Sequence, residues 1–405
     1  MESPQDESQL RFFVEASHIP IYQRIITQLT DALRKRGHTV VCEHPGGFPC
    51  SQAYLDRVRV LAPDFFIFTN PFALLASYSE ESKCYVFEQL DGQFIFLHHD
   101  NLLSNLLDRS AIQRKLTAFR ATRERSWHFC LEYHNFVDLR SLGIERVYSI
   151  GHAPEFQRSD TPQSYLYDAS FVGHVLPGMV DNSRAVPFSH QVNADIWSRI
   201  ANMDRALEPS ATFFAERFCK PGGQQLEFFA WKYFYISLLH LHSQHFRGEV
   251  LKRVQRSAVD IFGGDPSYMH GKKLDRVIDK ENIRYHAPVH DASAARQIFA
   301  SSKINLNITP LQFDDAVINR VIDVGGTGGF VLTDWKPGLQ RLTLVAEQIS
   351  YRTIEELNNK LQYYLHPDHE QERLEIAAAL HQDVTRKCSY QAVVASIVSK
   401  IGVVA

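Results

Sequence analysis

None of the six cysteines, Cys42, Cys50, Cys84, Cys130, Cys219 and Cys388, sits in a C-x-x-C pair. That removes zinc ribbons and thioredoxin-type redox motifs, and a disulfide framework is not expected in a chain this long. Zinc-helix spacing of the H-E-x-x-H kind is also missing. The groups His240/His242/His245 and His286/His290 imitate metal spacing only faintly, so no metal site is expected. Apolar runs such as 65–68 are far too short to span a membrane. The opening stretch 1–9 is polar and acidic, unlike a signal peptide, and a cytoplasmic location is expected. With a formal net charge of −3, the chain carries no general electrostatic footprint for nucleic acid or anionic lipid. The first strand-to-helix loop lacks the G-x-G-x-x-G fingerprint, which argues against nicotinamide oxidoreductase chemistry.

What the sequence does contain is an alternation. A short apolar run at 11–15 precedes a loop holding His18. Residues 21–36 then carry apolar side chains at helical spacing, and Gly37 ends that helix. Further strands are expected at 38–42, 64–68, 94–97, 127–131 and 146–150. After a polar linker at 153–167 the pattern restarts at 169–175 and continues at 259–262, 283–285, 303–308 and 330–333. Terminal helices are expected at 353–365, 367–383 and 388–402. Strands alternating with helices imply parallel, doubly wound sheets. The fold class is therefore α/β, with two Rossmann-like domains at 9–152 and 166–386 facing a central cleft. A helical insertion occupies 185–257 of the C-terminal half, and its Phe, Trp and Tyr cluster at 228–235 reads as packing surface. The last segment, 387–405, is expected to pack back on the first domain.

Ligands of doubly wound sheets bind at the carboxyl ends of the strands. The strand at 303–308, which ends in a proline turn, places Asn305 and Asn307 on one face, and buried amides need partners. They either anchor loops or line the cleft. Downstream, 314–324 reads as a helix on which Asp315, Asn319 and Asp323 form one polar stripe. Asp314 or Asp315 would otherwise cap the helix. Asp323 falls in its last turn, where a carboxylate opposes the helix dipole. Gly325-Gly326-Thr327-Gly328-Gly329 then reads as a helix stop and tight turn, with bare backbone that allows a ligand close approach.

The run "SSKINLNITP … NRVIDVGGTGGFVLTDWKPGL" resembles the C-terminal domain of CgeB-like, group-1-type glycosyltransferases of GT-B fold. The likeness is good over about 258–385 and looser over 170–175 and the first domain, and residues 185–257 show no resemblance. It implies transfer of a sugar from a nucleoside diphosphate sugar to a hydroxyl acceptor on a glycan, protein or small molecule. It also implies retention of configuration and no required metal or cofactor. Retaining members carry a Glu-x7-Glu pair on this helix. Asp315 and Asp323 have that separation, with Asp323 as ribose ligand and Asp315 near the sugar. Asn319, Arg320 and Gly328 would then approach the donor. So would the glycine turns Gly173-His174 and Gly263-Gly264, which end two strands of the second domain. The first domain becomes the acceptor side. There His99 and Asp100 match an "HD"-like sequence that touches the transferred sugar, and imidazole offers a general base near neutral pH. His98 and His18 become acceptor-side contacts. Two rivals are a catalytically silent GT-B-like glycan- or nucleotide-binding scaffold and a sugar-nucleotide epimerase of the same architecture.

Overall fold

The computed structural model describes residues 9–44, 52–69, 78–79, 84–103, 109–155, 164–173, 175, 198, 225–255, 257–263, 278, 280–289 and 291–402. The chain divides into two compact units, 1–151 with 220–234 and 390–405, and 152–219 with 235–389.

The first unit is built on β1 (Arg11–Glu15), β2 (Thr39–Glu43), β3 (Phe65–Thr69), β6 (Gln93–His98), β7 (Ser126–Cys130) and β8 (Val147–Ser149). They form one parallel sheet in the order β2-β1-β3-β6-β7-β8. A short antiparallel pair, β4 (Tyr78–Ser79) and β5 (Cys84–Tyr85), stands apart from it. The helices of this unit are α1 (Pro20–Lys35), α2 (Gln52–Leu61), α3 (Val86–Gln89), α4 (Arg109–Ala121) and α5 (Tyr133–Ser141). Strands β3 and β6 are buried on both faces, as central parallel strands must be. Phenylalanines supply most of that burial, with Phe66, Phe68, Phe94 and Phe96 packed ring against ring. Gly37 and Gly143 end α1 and α5 at φ +90° and +81°, the left-handed region where a side chain is strained.

Helix α6 (Gln225–Lys252) is apolar on nearly all sides, and its first part belongs to this unit. Lys232 and Tyr233 there reach Asp138 of α5. The Lys232 ammonium lies 2.6 Å from one carboxylate oxygen, and the Tyr233 hydroxyl donates to it at 2.7 Å. All three side chains are buried. Burial, reinforced by Asp138, pushes the Tyr233 hydroxyl well above its ordinary pKa. Helix α12 (Tyr390–Ile401) packs on α1 within the same unit.

The second unit holds the parallel sheet β11-β10-β9-β12-β13-β14. Its strands are β9 (Tyr167–Val172), β10 (Val259–Phe262), β11 (Ile283–His286), β12 (Ser302–Asn307), β13 (Val331–Asp334) and β14 (Ser350–Tyr351). Around it stand α7 (Ala292–Ser301), α8 (Asn319–Thr327), α9 (Pro337–Leu342), α10 (Ile354–Leu365) and α11 (Glu370–Lys387). Asp291 caps α7 and Thr353 caps α10, each accepting from a backbone N–H three residues on.

Two expectations change here. Helix α6 is divided between the units rather than belonging wholly to the second. Of the stretch read as an insertion at 185–257, residues 185–197, 199–224 and 256 lie outside the described residues. The helix expected from 314 also starts later, at Asn319. The preceding residues turn instead, and the Asp315 carbonyl accepts from Gly338 N–H at 3.0 Å.

Candidate functional site

In the second sheet the strand order reverses between β9 and β12, so their carboxyl ends open the crevice that a doubly wound fold offers a ligand. Strand β9 ends at Gly173, whose N–H donates to the Phe262 carbonyl of neighbouring β10 at 2.9 Å. The Gly173 φ is +154°, and a Cβ there would stand 2.9 Å from an Arg320 guanidinium nitrogen. Only a glycine leaves that arginine its place. Gly263, at φ +118°, ends β10 beside it.

Strand β12 ends at Asn307, which is wholly buried. Its amide nitrogen donates to the Thr333 hydroxyl at 2.8 Å, and its oxygen accepts from Arg320 at 3.2 Å. Arg320 follows Asn319 at the start of α8 and lies over the Phe171 ring, 5.3 Å from its centre. A second guanidinium, Arg247 of α6, donates to the Ile308 carbonyl just past β12 at 3.1 Å. Both arginines are tightly surrounded yet keep part of their surface open. Burial lowers Arg320 to about 10, against the pull of Asp323. Burial also lowers Arg247 to about 9, helped by repulsion from Arg320 and opposed by Asp334. Both stay charged at neutral pH. Two cations held close together at the end of a helix-and-sheet crevice favour an anion that bridges them.

Carboxylates frame the pair. Asp323 is only 8% exposed and accepts from the Glu155 backbone N–H at 2.9 Å. Asp334 ends β13, accepts from Thr309 N–H at 2.7 Å and lies 3.3 Å from the Lys336 ammonium. Asn305, the other amide of β12, donates to the Phe299 and Phe330 carbonyls and so anchors backbone.

The structure thus brings together Gly173, Gly263, Asn319, Arg320 and Asp323 at one edge. Other sequence expectations fall elsewhere. Asp315 is not on the helix with Asp323, so the two do not form a stripe; it is paired with Arg341. Asp323 is the fifth residue of a helix running to Thr327, so it does not sit in the last turn, and a dipole penalty does not apply. Gly328 closes α8 at φ +79°. It is about 12 Å along the helix from Arg320 and next to the start of β13, away from the strand ends. His174 and Gly264 lie outside the described residues.

The sequence reading missed Arg247 and Asp334. Arg247 is a charge beside the buried Phe246, Val250 and Leu251, in a segment read only as a helical insertion. A charge among buried apolar neighbours was the available signal, because a buried cation needs a partner. Asp334 stood in the quoted "TD" at a strand's carboxyl end.

In the first unit, His98, His99 and Asp100 end β6. His98 is wholly buried and cannot present itself to an acceptor. Its Nε2 lies 3.0 Å from His128 Nδ1 on the adjacent strand, and His128 Nε2 is 3.1 Å from the Ser126 hydroxyl. Alternation along the strand turns this imidazole into the aromatic core beside Phe96 and Phe119. His99 is 7% exposed, and burial lowers it to about 4. It therefore lacks the near-neutral pKa that a general base was expected to have. Asp100 accepts from Asn101 N–H at 2.8 Å, and its carbonyl accepts from the Asn135 amide. His18 is exposed after β1, and its ring lies 3.5 Å from that of His44 after β2.

The buried imidazoles make stability depend on acid. Burial lowers His98 well below its usual value, with His128 and His99 adding to the effect, and burial takes His128 to about 3. All three are neutral when folded but charge near pH 6.5 when unfolded, so the unfolded chain binds more protons as pH falls. The contribution of these three histidines to stability is expected to be level above about pH 6.5. Below that it should drop by up to about 1.4 kcal/mol per pH unit for each histidine. Urea unfolding at pH 7.5 and pH 5 checks this. An equal midpoint at both pH values contradicts it.

Among the described residues no group of three or more His, Cys, Asp or Glu side chains could hold a metal ion. Among the same residues no helix is long and apolar enough to cross a membrane.

Two Rossmann-like domains of parallel sheet, with a cationic crevice at the strand ends of the second, define a GT-B fold. Residues 245–399 match the family model described as "Glycosyl transferase-like". Among solved structures, the chain is similar to Anabaena Alr3699/HepE in complex with UDP and glucose. The TM-score is 0.56 and the identity 10%, over 98% of this chain and 100% of that one. It is also similar to T4 phage β-glucosyltransferase, at TM-score 0.52 and 11% identity, covering 97% and 98% of the two chains. A third match is the DNA-modifying enzyme β-glucosyltransferase, studied with and without uridine diphosphoglucose. Its TM-score is 0.53 and its identity 10%, with 97% and 100% covered. No curated protein matches the chain in sequence.

Proposed function

We propose that this chain is a glycosyltransferase that takes a sugar from a nucleoside diphosphate sugar, UDP-glucose being the first donor to try, and passes it to a hydroxyl acceptor. The observation that carries this reading is the pair of guanidiniums, Arg247 and Arg320, at the switch point of the second sheet. A diphosphate bridging them would match their charge and their forked donors. The same contacts would strengthen as the sugar departs and negative charge collects on the diphosphate. Two cations and the start of α8 supply that neutralisation from protein groups, which supports a metal-independent reaction. The family match over 245–399 covers both arginines, and the T4 phage and Anabaena proteins were each solved in complex with UDP-glucose.

In this reading Gly173 lets Arg320 reach the phosphates, Asn307 holds it there, and Asp323 accepts from the ribose hydroxyls. Retention of configuration rests on the family resemblance alone, and the Asp315–Asp323 spacing adds nothing to it, because Asp315 precedes the helix and pairs with Arg341. Asp315 is assigned no part in the chemistry. On the acceptor side, Asp100 and His18 remain the polar groups with access to solvent at the ends of β6 and β1.

The test is calorimetric titration with UDP-glucose. Asp323→Ala should weaken binding about 10- to 100-fold through loss of charge-assisted hydrogen bonds. Asp323→Asn, which keeps one acceptor oxygen, should fall between that variant and the wild type. Unchanged affinity in Asp323→Ala would remove the ribose assignment. Release of glucose from UDP-glucose without interconversion of the sugar separates transferase from epimerase, and failure to bind any nucleotide sugar favours the scaffold.

A further inference from the structure

Three consecutive residues at the end of β12 each hold a charged side chain. The Asn307 amide oxygen accepts from Arg320, the Ile308 carbonyl accepts from Arg247, and the Thr309 N–H donates to Asp334. Asp334 in turn faces a third cation. The Lys336 ammonium lies 3.3 Å from the carboxylate oxygen that Thr309 leaves free. Lys336 stands two residues past β13, the strand next to β12. Arg320, Arg247 and Lys336 are thus strung along the strand ends in that order. Asp323, three residues after Arg320 on α8, marks the Arg320 end of the row.

Lys336 is only 9% exposed, unusual for a lysine. Among the described residues its ammonium meets no protein acceptor besides Asp334, one partner for three N–H donors. The nitrogen is not sealed away, since 11% of the side-chain surface stays open. Asp334 is also not reserved for Lys336, because it holds the Thr309 turn and attracts Arg247. A count of charge shows what Lys336 adds. Arg247 and Arg320 are matched by Asp323 and Asp334, so Lys336 alone makes this group of five net positive.

Resting on the donor reading above, we propose that Lys336 is a further donor-binding residue, the one that meets the distal phosphate of the nucleoside diphosphate. The direction follows from the row. Asp323 takes the ribose in that reading and stands at the Arg320 end, so the phosphate farther from the ribose falls toward Lys336. An ammonium is a compact point charge with three rotatable donors, suited to a phosphate that a guanidinium fork already grips from one side. Lys336 therefore makes the site one for a diphosphate rather than a monophosphate.

Calorimetric titration of the full chain with UDP and with UMP separates the two phosphates. Lys336→Met should weaken UDP about tenfold or more, the loss of one charge-assisted contact, and change UMP by no more than about twofold. Lys336→Arg keeps the charge and should bind UDP within about threefold of the wild type. A purely structural lysine, steadying Asp334 and through it the Thr309 turn, would move UDP and UMP alike. Rescue by Lys336→Arg decides the same point if UMP binds too weakly to follow. Lys336→Gln, which can still donate to Asp334, carries the test if Lys336→Met does not fold. The proposal is overturned if UDP affinity is unchanged in the foldable variants, if UMP falls as far as UDP, or if Lys336→Arg is no better than Lys336→Met. Wild-type protein that binds neither UDP nor UDP-glucose would defeat the donor reading and this assignment with it. UDP binding that survives unchanged in Lys336→Met defeats this assignment alone.

Discussion

Arg320→Ala is expected to weaken UDP-glucose binding by about 10- to 150-fold, the worth of one charge-assisted contact of about 1.5–3 kcal/mol. Arg247→Ala should do the same, and the double variant should bind too weakly to measure by calorimetry. The reason is geometric. Arg320 is held by Asn307 and Phe171 and given room by Gly173, while Arg247 is held by the Ile308 carbonyl. Neither guanidinium needs to search for its ligand, so little ordering entropy offsets the contact. Lysine in either place keeps the charge but loses the fork, so Arg320→Lys should bind better than Arg320→Ala and worse than wild type. Loss of fold should not confound the result. The two cations repel one another, and repulsion is among the causes that lower Arg247. Removing one relieves that repulsion but leaves the Asn307 oxygen or the Ile308 carbonyl without this donor, so a modest loss of about 1–3 kcal/mol is expected rather than loss of fold. A large fall in melting temperature, or wild-type affinity in both single variants, would defeat this assignment.

Asp138→Ala is expected to destabilise the first unit by about 3–5 kcal/mol, because it leaves the buried Lys232 ammonium without its counter-charge. Tyr233 would lose its nearer acceptor as well, keeping Asn135 Oδ1 at 3.2 Å. Against a total stability of about 5–15 kcal/mol such a loss is severe, and poor soluble yield is part of the expected result. A second change separates the charge from the packing. Asp138→Ala with Lys232→Met removes the orphaned cation and should recover much of the loss, since a buried ion pair replaced by apolar groups is often close to neutral. Urea unfolding followed by circular dichroism reads both variants. Equal midpoints for Asp138→Ala and wild type would show that the pair contributes nothing.

The alternation of strands and helices was legible because its signals are local. Burial on both faces makes β3 and β6 continuous apolar runs, and Gly37 and Gly143 mark helix ends by their backbone freedom. The strands at 11–15 and 259–262 were read to the residue. The two-residue strands β4, β5 and β14 were too short for any period to register. The site was legible only in part. Gly173, Arg320 and Asp323 lie on a strand end and the helix that follows the switch point, where topology directs attention. Asp315 was placed wrongly because its spacing from Asp323 continues the helical period, whereas the backbone turns at 314–318 and gives the Asp315 carbonyl to Gly338. His98 looked like an edge residue, but one step of strand alternation sends it into the core. Arg247 lies 73 positions before Arg320 in the sequence, and only the packing of α6 against the loop after β12 joins them. No period or motif encodes that contact.

Amide hydrogen exchange of the full chain with and without UDP-glucose tests the central claim most directly, because a ligand that binds the native state suppresses local opening where it sits. Slowed exchange should concentrate in 171–173, 243–250, 305–310 and 319–327, the segments that carry Gly173, Arg247, Asn307 and Arg320. Donor-dependent protection confined to other segments, with these four unchanged, would contradict the account.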